Sequence, residues 1–229
     1  MTARTKVILS SGVVTAVLAA IAWLVLPASP QSAALASRQR AMAMLGARIA
    51  ELRPHCKVLV LSNPFARTSG YLSEKSRYER AGLRGLRHGL GRGSPAKVVF
   101  PELRPEYLAN PQSVFIPPDS RTPLSFLVRL ASVGRLAEAH ADHCVIVSLI
   151  GLPLGVERLK IWGEGDPRCF ALLLPDLRVL GSPTEVIEAF RRAKLLAAVV
   201  EDSRSGDPLL VTRENIVDVL TRQPQVLGY

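Results

Sequence analysis

Hydrophobic and polar positions divide the chain into one long apolar segment and a series of shorter apolar runs. The long segment runs from Val7 to Leu26 and has no charge and no proline. Its length is about what a helix needs to cross the hydrocarbon core of a bilayer. The shorter runs are typical of strands buried on both faces. The predicted strands cover residues 57–61, 97–100, 114–116, 145–150, 170–174, 195–200 and 209–211.

Helical periodicity and capping residues predict the helices that separate these strands. Ser73 fits an N-cap, and Thr122 with Pro123 fits N-cap and N1. The stretch Ser182-Pro183-Thr184-Glu185 has the serine, proline and glutamate of a capping box. The predicted helices cover residues 32–52, 73–88, 124–141, 156–161, 182–194 and 212–221.

Alternation of strands and helices predicts an α/β fold with a mostly parallel sheet and helices on both faces. The order of elements resembles flavodoxin-type domains or one lobe of a periplasmic binding protein. No glycine or proline separates the helix predicted at 182–194 from the strand at 195–200, so one long helix there is the alternative.

The apolar segment 7–26 determines the expected domain organisation. Arg4 and Lys6 precede it, which favours a cytoplasmic N-terminus and an extracytoplasmic domain, periplasmic if the source is bacterial. A cleavable signal peptide is the alternative, because Ala34-Leu35-Ala36 fits a cleavage site. The expected organisation is a cytoplasmic N-terminus 1–6, a single-pass transmembrane anchor 7–26, a stalk helix 27–54 and an α/β domain 55–229.

Composition and charge narrow the class of protein. The chain is 48% hydrophobic and 21% charged, which excludes a disordered chain. Its formal net charge of +10 favours an acidic partner or anionic lipid at a membrane surface. No nucleic-acid-binding motif is visible, and we expect no nucleic-acid partner.

Two features indicate a surface that binds other subunits of a membrane complex. Spacings of three and four place several arginines on one face of the helix predicted at 73–88. Residues 101–123 contain six prolines, and a loop of this length is usually a lid, a binding loop or a contact surface. The candidate partner-binding residues are Arg77, Arg80, Arg84, Arg87, Tyr107 and Phe115.

The three cysteines lie at the beginnings of predicted strands, at one end of the sheet. Cys56, Cys144 and Cys169 each open an apolar run. Buried free cysteine is common in protein cores, so structural thiols are the favoured interpretation. A disulfide and a metal site with His55 and His143 are the alternatives, although the spacing matches no zinc pattern.

The carboxyl ends of the parallel strands form the candidate ligand edge, where such sheets bind ligands. Carboxylates gathered there could hold a divalent cation or act as acid and base, although polar residues also end strands as ordinary turn and capping residues. The edge is expected to collect Ser62, Asn63, Glu102, Gly151, Asp176, Glu201 and Asp202.

No catalytic or cofactor motif accompanies this edge. The glycines between 82 and 93 follow a predicted helix, whereas a dinucleotide-binding fingerprint must lie between a strand and a helix. No P-loop, Gly-x-Ser-x-Gly or His-Glu-x-x-His is present. We therefore expect no cofactor and no metal.

The favoured function is a membrane-anchored, non-catalytic accessory or scaffold subunit of a membrane protein complex. The alternative is a tethered ligand-binding or sensory domain that uses the carboxyl edge of the sheet. A hydrolase-like enzyme at the same edge is the third class.

Overall fold

The computed structural model describes residues 29–68, 70 and 73–228. Residues from Leu35 onward form one compact unit. Among the residues described, no helix combines the length and the apolar character that crossing a membrane requires. The predicted anchor 7–26 lies outside the described residues, as does the segment 1–6.

The centre of this unit is a mostly parallel sheet of six strands, counted within the described residues. The strand order is β2-β1-β3-β4-β5-β6. The first five strands are parallel, and β6 is antiparallel to β5. The strands are β1 Val58–Leu61, β2 Ala96–Val99, β3 Val145–Ser148, β4 Cys169–Leu173, β5 Leu195–Glu201 and β6 Pro208–Val211.

Helices connect the strands and cover both faces of the sheet. The α-helices are α1 Pro30–Leu52, α2 Pro64–Thr68, α3 Glu74–Leu90, α4 Pro105–Ala109, α5 Leu124–Leu127, α6 Leu130–Ala139, α7 Pro183–Arg191 and α8 Ile216–Arg222. Short 3-10 turns cover Pro111–Ser113, Val156–Arg158, Lys160–Trp162, Leu177–Leu180 and Pro224–Leu227. The sequence prediction of an α/β fold with a mostly parallel sheet is confirmed.

The hydrophobic core has two parts, one on each face of the sheet. On one face, Met42 and Ile49 of α1 pack with Leu86 of α3 against alternate residues of the strands. On the other, Val133 of α6 and Phe190 of α7 belong to a second buried cluster. Strands buried on both faces explain why their sequences are continuous apolar runs.

Glycines allow α1 and α3 to pack with their backbones in contact. A Cβ at Gly85 would overlap the carbonyl oxygen of Gln39, and one at Gly89 would overlap that of Ala43. In α1, a Cβ at Gly46 would lie 2.6 Å from the carbonyl oxygen of Leu86. Gly85 and Gly89 of α3 therefore allow the two helices to pack closely.

The helix predicted at 124–141 is interrupted at residues 128–129. The prediction of one continuous helix is therefore wrong. Val128 forms an isolated antiparallel bridge with Leu103. Backbone hydrogen bonds from Arg129 N to Glu102 O (2.8 Å) and from Arg104 N to Leu127 O (2.8 Å) complete the pairing. Because this pairing requires extended backbone at 128, the segment divides into α5 and α6.

Two shorter predictions are also wrong. Residues 114–116 form no strand, and residues 156–161 form two 3-10 turns. The capping predictions at Ser73 and Ser182 are confirmed, whereas the one at Thr122 is wrong, because α5 begins at Leu124 with Pro123 as its N-cap. Ser73 caps α3 by accepting a hydrogen bond from Ser76 N, and the capping box begins α7. At the other end of α7, Ala193 adopts a left-handed conformation with φ of 55°. That conformation ends the helix without glycine or proline, and residues 195–201 form a strand.

The cysteines do lie at strand beginnings, but two of them are not free thiols. Cys56 and Cys144 form a disulfide with their Cα atoms 5.9 Å apart, within the usual range. Strands β1 and β3 are neighbours, which brings together two residues far apart in sequence. Cys169 is free and buried, and burial raises the pKa of its thiol to about 11. A protonated, buried thiol is chemically inert.

Candidate functional site

Parallel strands bring their carboxyl ends to one edge, and the residues predicted for a ligand site lie along it. Between β1 and β3 the strand order reverses, the place where such sheets usually bind ligands. In this protein the side chains of Thr122 and Ser125 occupy that place. The hydroxyl of Ser125 lies within hydrogen-bond distance of both Ile150 O (3.2 Å) and Thr122 Oγ1 (3.1 Å). At Gly151 a Cβ would lie within 2.7 Å of both Thr122 and Ser125.

Ser62, at the end of β1, belongs to a buried ionic network. Its hydroxyl donates to Glu79 Oε2 (3.0 Å), and Glu79 Oε1 pairs with Arg38 at 3.3 Å. Burial raises the pKa of Glu79 above its ordinary value, although Arg38 and Ser62 act in the opposite direction. This network connects α1, β1 and α3, so Ser62 has a structural partner.

The remaining predicted edge residues also have structural roles or lie apart from one another. Asp176 is buried and holds Arg178 (2.7 Å), which also binds Asp119 (2.6 Å). Asp202 Oδ1 accepts from Arg204 N at 2.7 Å, and Glu201 is exposed. Within the described residues, no three histidine, cysteine or carboxylate side chains gather as a metal site would require.

An open apolar cleft lies at the carboxyl ends of β1 and β2, and we refer to it as the β1–β2 cleft. Its volume is about 760 Å³, within the range of roughly 300–1,000 Å³ common for small-molecule sites. Leu108 on its wall is 66% exposed. The cleft is lined by Pro64, Phe65, Arg67, Thr68, Phe100, Pro101, Glu102, Leu103, Pro105, Leu108 and Arg129.

Local hydrogen bonds fix the two walls of this cleft. Asn63 Oδ1 accepts from Phe65 N (2.9 Å) and so begins α2 directly after β1. The Phe65 ring meets Tyr107 edge-on, with centroids 6.2 Å apart, and Lys75 Nζ lies 5.3 Å from the Phe65 centroid. On the opposite wall, Glu102 N donates to Ser132 Oγ (2.9 Å). The apolar surface therefore stands on an ordered backbone.

Three charged side chains line the cleft. Glu102 Oε2 pairs with Arg135 at 2.8 Å and with Arg129 at 3.5 Å. Arg67 is exposed, and its side chain makes no hydrogen bond or ion pair with another described residue. Two guanidinium groups and one already paired carboxylate give the cleft an excess of positive charge.

The predicted partner-binding residues occupy separate surfaces. Arg77, Arg84 and Arg87 are exposed on α3, whereas Arg80 is half-buried. Phe115 is 79% exposed and lines a second hollow of about 500 Å³ with Phe126 and Leu154. Tyr107, by contrast, is half-buried against Phe65. The Pro-rich segment thus contributes to two hollows.

Sequence reasoning found Glu102 but missed the other residues of the β1–β2 cleft. Phe65, Arg67 and Leu108 lie on two very short helices, each too short for a periodic pattern. Asn63-Pro64 after a strand and the six prolines of 101–123 were the available signals, because each places a rigid turn at the edge of the sheet.

Comparisons with known proteins give similarity of fold and no family. No protein-family model matches the chain, and no curated protein sequence matches it. Solved structures that are similar include a sugar transport substrate-binding protein from Bordetella parapertussis (12% identity, TM-score 0.49, covering 84% of this chain and 60% of that one). A carbohydrate transporter protein from Acidothermus cellulolyticus in complex with myo-inositol gives 10% identity and a TM-score of 0.47, covering 83% of this chain and 62% of that one.

The arabinose-binding protein AraP from Geobacillus stearothermophilus is similar at the same level, with 11% identity, a TM-score of 0.46, and coverage of 79% of this chain and 62% of that one. The chain spans about 60% of the length of these proteins.

Proposed function

We propose that this chain is an extracytoplasmic ligand-binding domain, tethered to the membrane by residues 7–26, and that its ligand occupies the β1–β2 cleft. This was the alternative function expected from the sequence. The observation that carries the proposal is the cleft itself, a roomy apolar surface at the carboxyl edge of a parallel sheet. A few charged groups converge on it, as is typical of small-molecule sites.

The surroundings of the cleft favour binding over chemistry. Ser62 and Asp176 are buried in structural hydrogen bonds. Glu102 and Glu201 are exposed, and Asp202 is half-buried and accepts a backbone hydrogen bond. The lining contains one hydroxyl and one carboxylate, those of Thr68 and Glu102. Both are already engaged, because Thr68 Oγ1 donates to Phe65 O (3.2 Å) and Glu102 pairs with Arg135 (2.8 Å). A bound molecule would be held there rather than transformed.

The disulfide supports the extracytoplasmic location. A bond between Cys56 and Cys144 is stable in an oxidising compartment and rare in the cytosol. Together with Arg4 and Lys6 before the predicted anchor, it favours the domain outside the cytoplasm. A C-terminal reporter that is active only in the cytoplasm tests this location, and its activity would contradict the proposal. A mature N-terminus near residue 37 would replace the anchor by a cleaved signal.

Binding in the cleft is tested by filling it. The full chain in lipid nanodiscs is screened by saturation-transfer NMR against a library of water-soluble aromatic fragments. Leu108→Trp should abolish the hits, because the indole would occupy the cleft. Since Leu108 is 66% exposed, the substitution should not unfold the protein. Phe115→Trp, in the separate hollow, is the matched control and should keep the hits.

Two results would contradict a ligand site in the cleft. The first is an absence of hits with the wild-type chain. The second is a set of hits that survives Leu108→Trp unchanged. Either result would favour the other candidate function, that of an accessory subunit of a membrane complex.

The second candidate is an accessory subunit of a membrane complex. It is favoured by the exposed arginines of α3, because Arg77, Arg84 and Arg87 make no ion pair with any described residue. Arginine is enriched at protein interfaces. A domain can use α3 for a partner and the cleft for a ligand, since the two surfaces share no residue.

A further inference from the structure

The β1–β2 cleft is lined by two arginines and one glutamate, and the way these groups pair determines which kind of ligand can bind. Glu102 Oε2 lies 2.8 Å from Arg135, outside the cleft lining, and 3.5 Å from Arg129. The shorter contact goes to Arg135, so the carboxylate is already balanced from outside the cleft. Arg129 retains most of its capacity to bind another anion, and Arg67 has no partner among the described residues.

The apolar lining of the cleft indicates the chemistry of the uncharged part of the ligand. The rings of Phe65 and Phe100 and the side chain of Leu108 offer contacts to a hydrocarbon or aromatic body. Planar rings prefer offset or edge-to-face neighbours. Prolines 64, 101 and 105 add rigid surface that loses no further side-chain entropy on binding.

We propose that the β1–β2 cleft binds an amphipathic carboxylate, whose anionic head pairs with Arg67 and Arg129 and whose apolar body packs on Phe65, Phe100 and Leu108. This inference rests on the proposed function and adds the class of ligand. A guanidinium group matches a carboxylate through two parallel hydrogen bonds, which makes it more selective than a simple point charge.

Three molecules with one apolar body and different heads test the class of ligand. They are naphthylacetate, naphthylacetamide and naphthylethylammonium, which carry negative, zero and positive charge. Their fluorescence anisotropy reports binding to the full chain in nanodiscs made of zwitterionic lipid. Naphthylacetate should bind about tenfold more tightly than the amide, which corresponds to about 1.4 kcal/mol, and the ammonium should bind most weakly. Because both arginines are solvent-accessible, the preference should shrink as salt is raised.

Substitutions then assign the head and the body to particular residues. Arg67→Gln and Arg129→Gln should each lower the affinity for naphthylacetate severalfold and leave that for naphthylacetamide unchanged. Leu108→Ser should lower both affinities alike, because it removes apolar contact surface. Arg213→Gln changes an exposed arginine outside the cleft lining and is the matched control, with no effect on either ligand.

The outcomes separate this inference from the proposed function. If the amide binds as tightly as the carboxylate and both are lost in Leu108→Trp, the cleft is a ligand site and the assignment of an anionic head is wrong. If none of the three molecules binds although aromatic fragments bind in the cleft, the class of ligand is wrong and the proposed function stands. If no fragment binds either, or if binding survives Leu108→Trp, the proposed function fails as well. A preference for the carboxylate that persists in the Arg67→Gln, Arg129→Gln double variant would overturn the roles of those two arginines.

Discussion

Gly85 in α3 lies directly against the carbonyl oxygen of Gln39 in α1, so closely that a Cβ at position 85 would overlap that oxygen. The contacting atoms of Gln39 belong to the helix backbone, so they cannot move aside as the end of a flexible side chain could. It brings Met42 and Leu45 of α1 into full burial. One missing side chain therefore decides how the first helix packs on the domain.

Gly85→Ala should destabilise the domain in spite of the higher helix propensity of alanine. The added methyl group forces α1 and α3 apart, and overpacking of this kind costs about 1–3 kcal/mol. The helix propensity gained offsets no more than about 1 kcal/mol of this cost. Urea unfolding of the full chain, followed by tryptophan fluorescence, measures the difference in the free energy of unfolding.

Gly165→Ala is the matched control for this substitution. A Cβ there meets nothing within 4 Å, so the midpoint of unfolding should change little. Equal stability of the wild type and the Gly85→Ala variant would show that α1 can move away from α3 at no cost.

The disulfide should be detectable by counting thiols in the denatured chain. Without reductant, one thiol per chain, that of Cys169, should react with an alkylating reagent, and after reduction all three should react. The bond joins residues separated by 88 positions. A cross-link that closes so long a loop stabilises the folded state by about 2–4 kcal/mol, chiefly by restricting the unfolded chain.

Replacing Cys56 and Cys144 together by serine should therefore lower the free energy of unfolding by that amount, measured without reductant. The same substitutions should lose less when compared with the reduced wild-type chain. Three reactive thiols in the unreduced, denatured protein would contradict the pairing.

Helix boundaries were predictable where the signal is local. The capping box at Ser182 and the N-cap at Ser73 depend on residues within one turn, and both predictions were correct. The break between α5 and α6 depends on Val128 meeting Leu103, which are 25 positions apart. A periodic apolar pattern continues through such a break, because the same residues face the core in both conformations.

The site was predicted at the correct edge of the sheet, but most residues named for it have other roles. Ser62 and Asp176 are polar residues at strand ends, as a ligand site requires, yet the side chain of each already has a partner. The Ser62 hydroxyl donates to Glu79, and the Asp176 carboxylate pairs with Arg178. Sequence pattern cannot show which polar groups are already paired. The cleft was missed because its apolar lining comes from α2, α4 and the loop after β2, which adjoin only in the fold.

Arg38 and Glu79 should make stability depend on pH. Burial raises the pKa of Glu79 in the folded protein, above the value of about 4.3 expected in the unfolded chain. A raised pKa means that the folded state binds the proton more tightly. This contribution to stability is therefore fully present below the unfolded pKa and is lost as pH rises through the folded pKa.

Arg38→Met should make this loss larger, because Arg38 is the group that most lowers the pKa of Glu79 against the effect of burial. At neutral pH the variant should be less stable than the wild type by about 3 kcal/mol, since it leaves an unpaired buried charge. The difference should shrink as pH falls toward 4. In a Glu79→Gln background, by contrast, Arg38→Met should change the stability by the same amount at pH 4 and at pH 8, because neither protein then carries the titrating carboxyl. A difference that stays constant between pH 4 and pH 8 would contradict the account.

The exposed arginines of α3 form the surface on which we expect a protein partner to dock. Arg84 and Arg87 lie on one face of the helix and are exposed, three positions apart and therefore neighbours. If the domain docks through this face, Arg84→Glu with Arg87→Glu should reduce co-purification of its partners from native membranes by about tenfold or more, because like charges then oppose the docking surface. Arg204→Glu with Arg213→Glu changes two exposed arginines on either side of β6 and controls for the same change in net charge. The thermal midpoint of unfolding should stay the same in all three proteins, so that a loss of partners reflects the surface and not the fold. Recovery of the same partners in the same amounts with the double variant would exclude α3 as the docking face and leave the β1–β2 cleft as the functional surface.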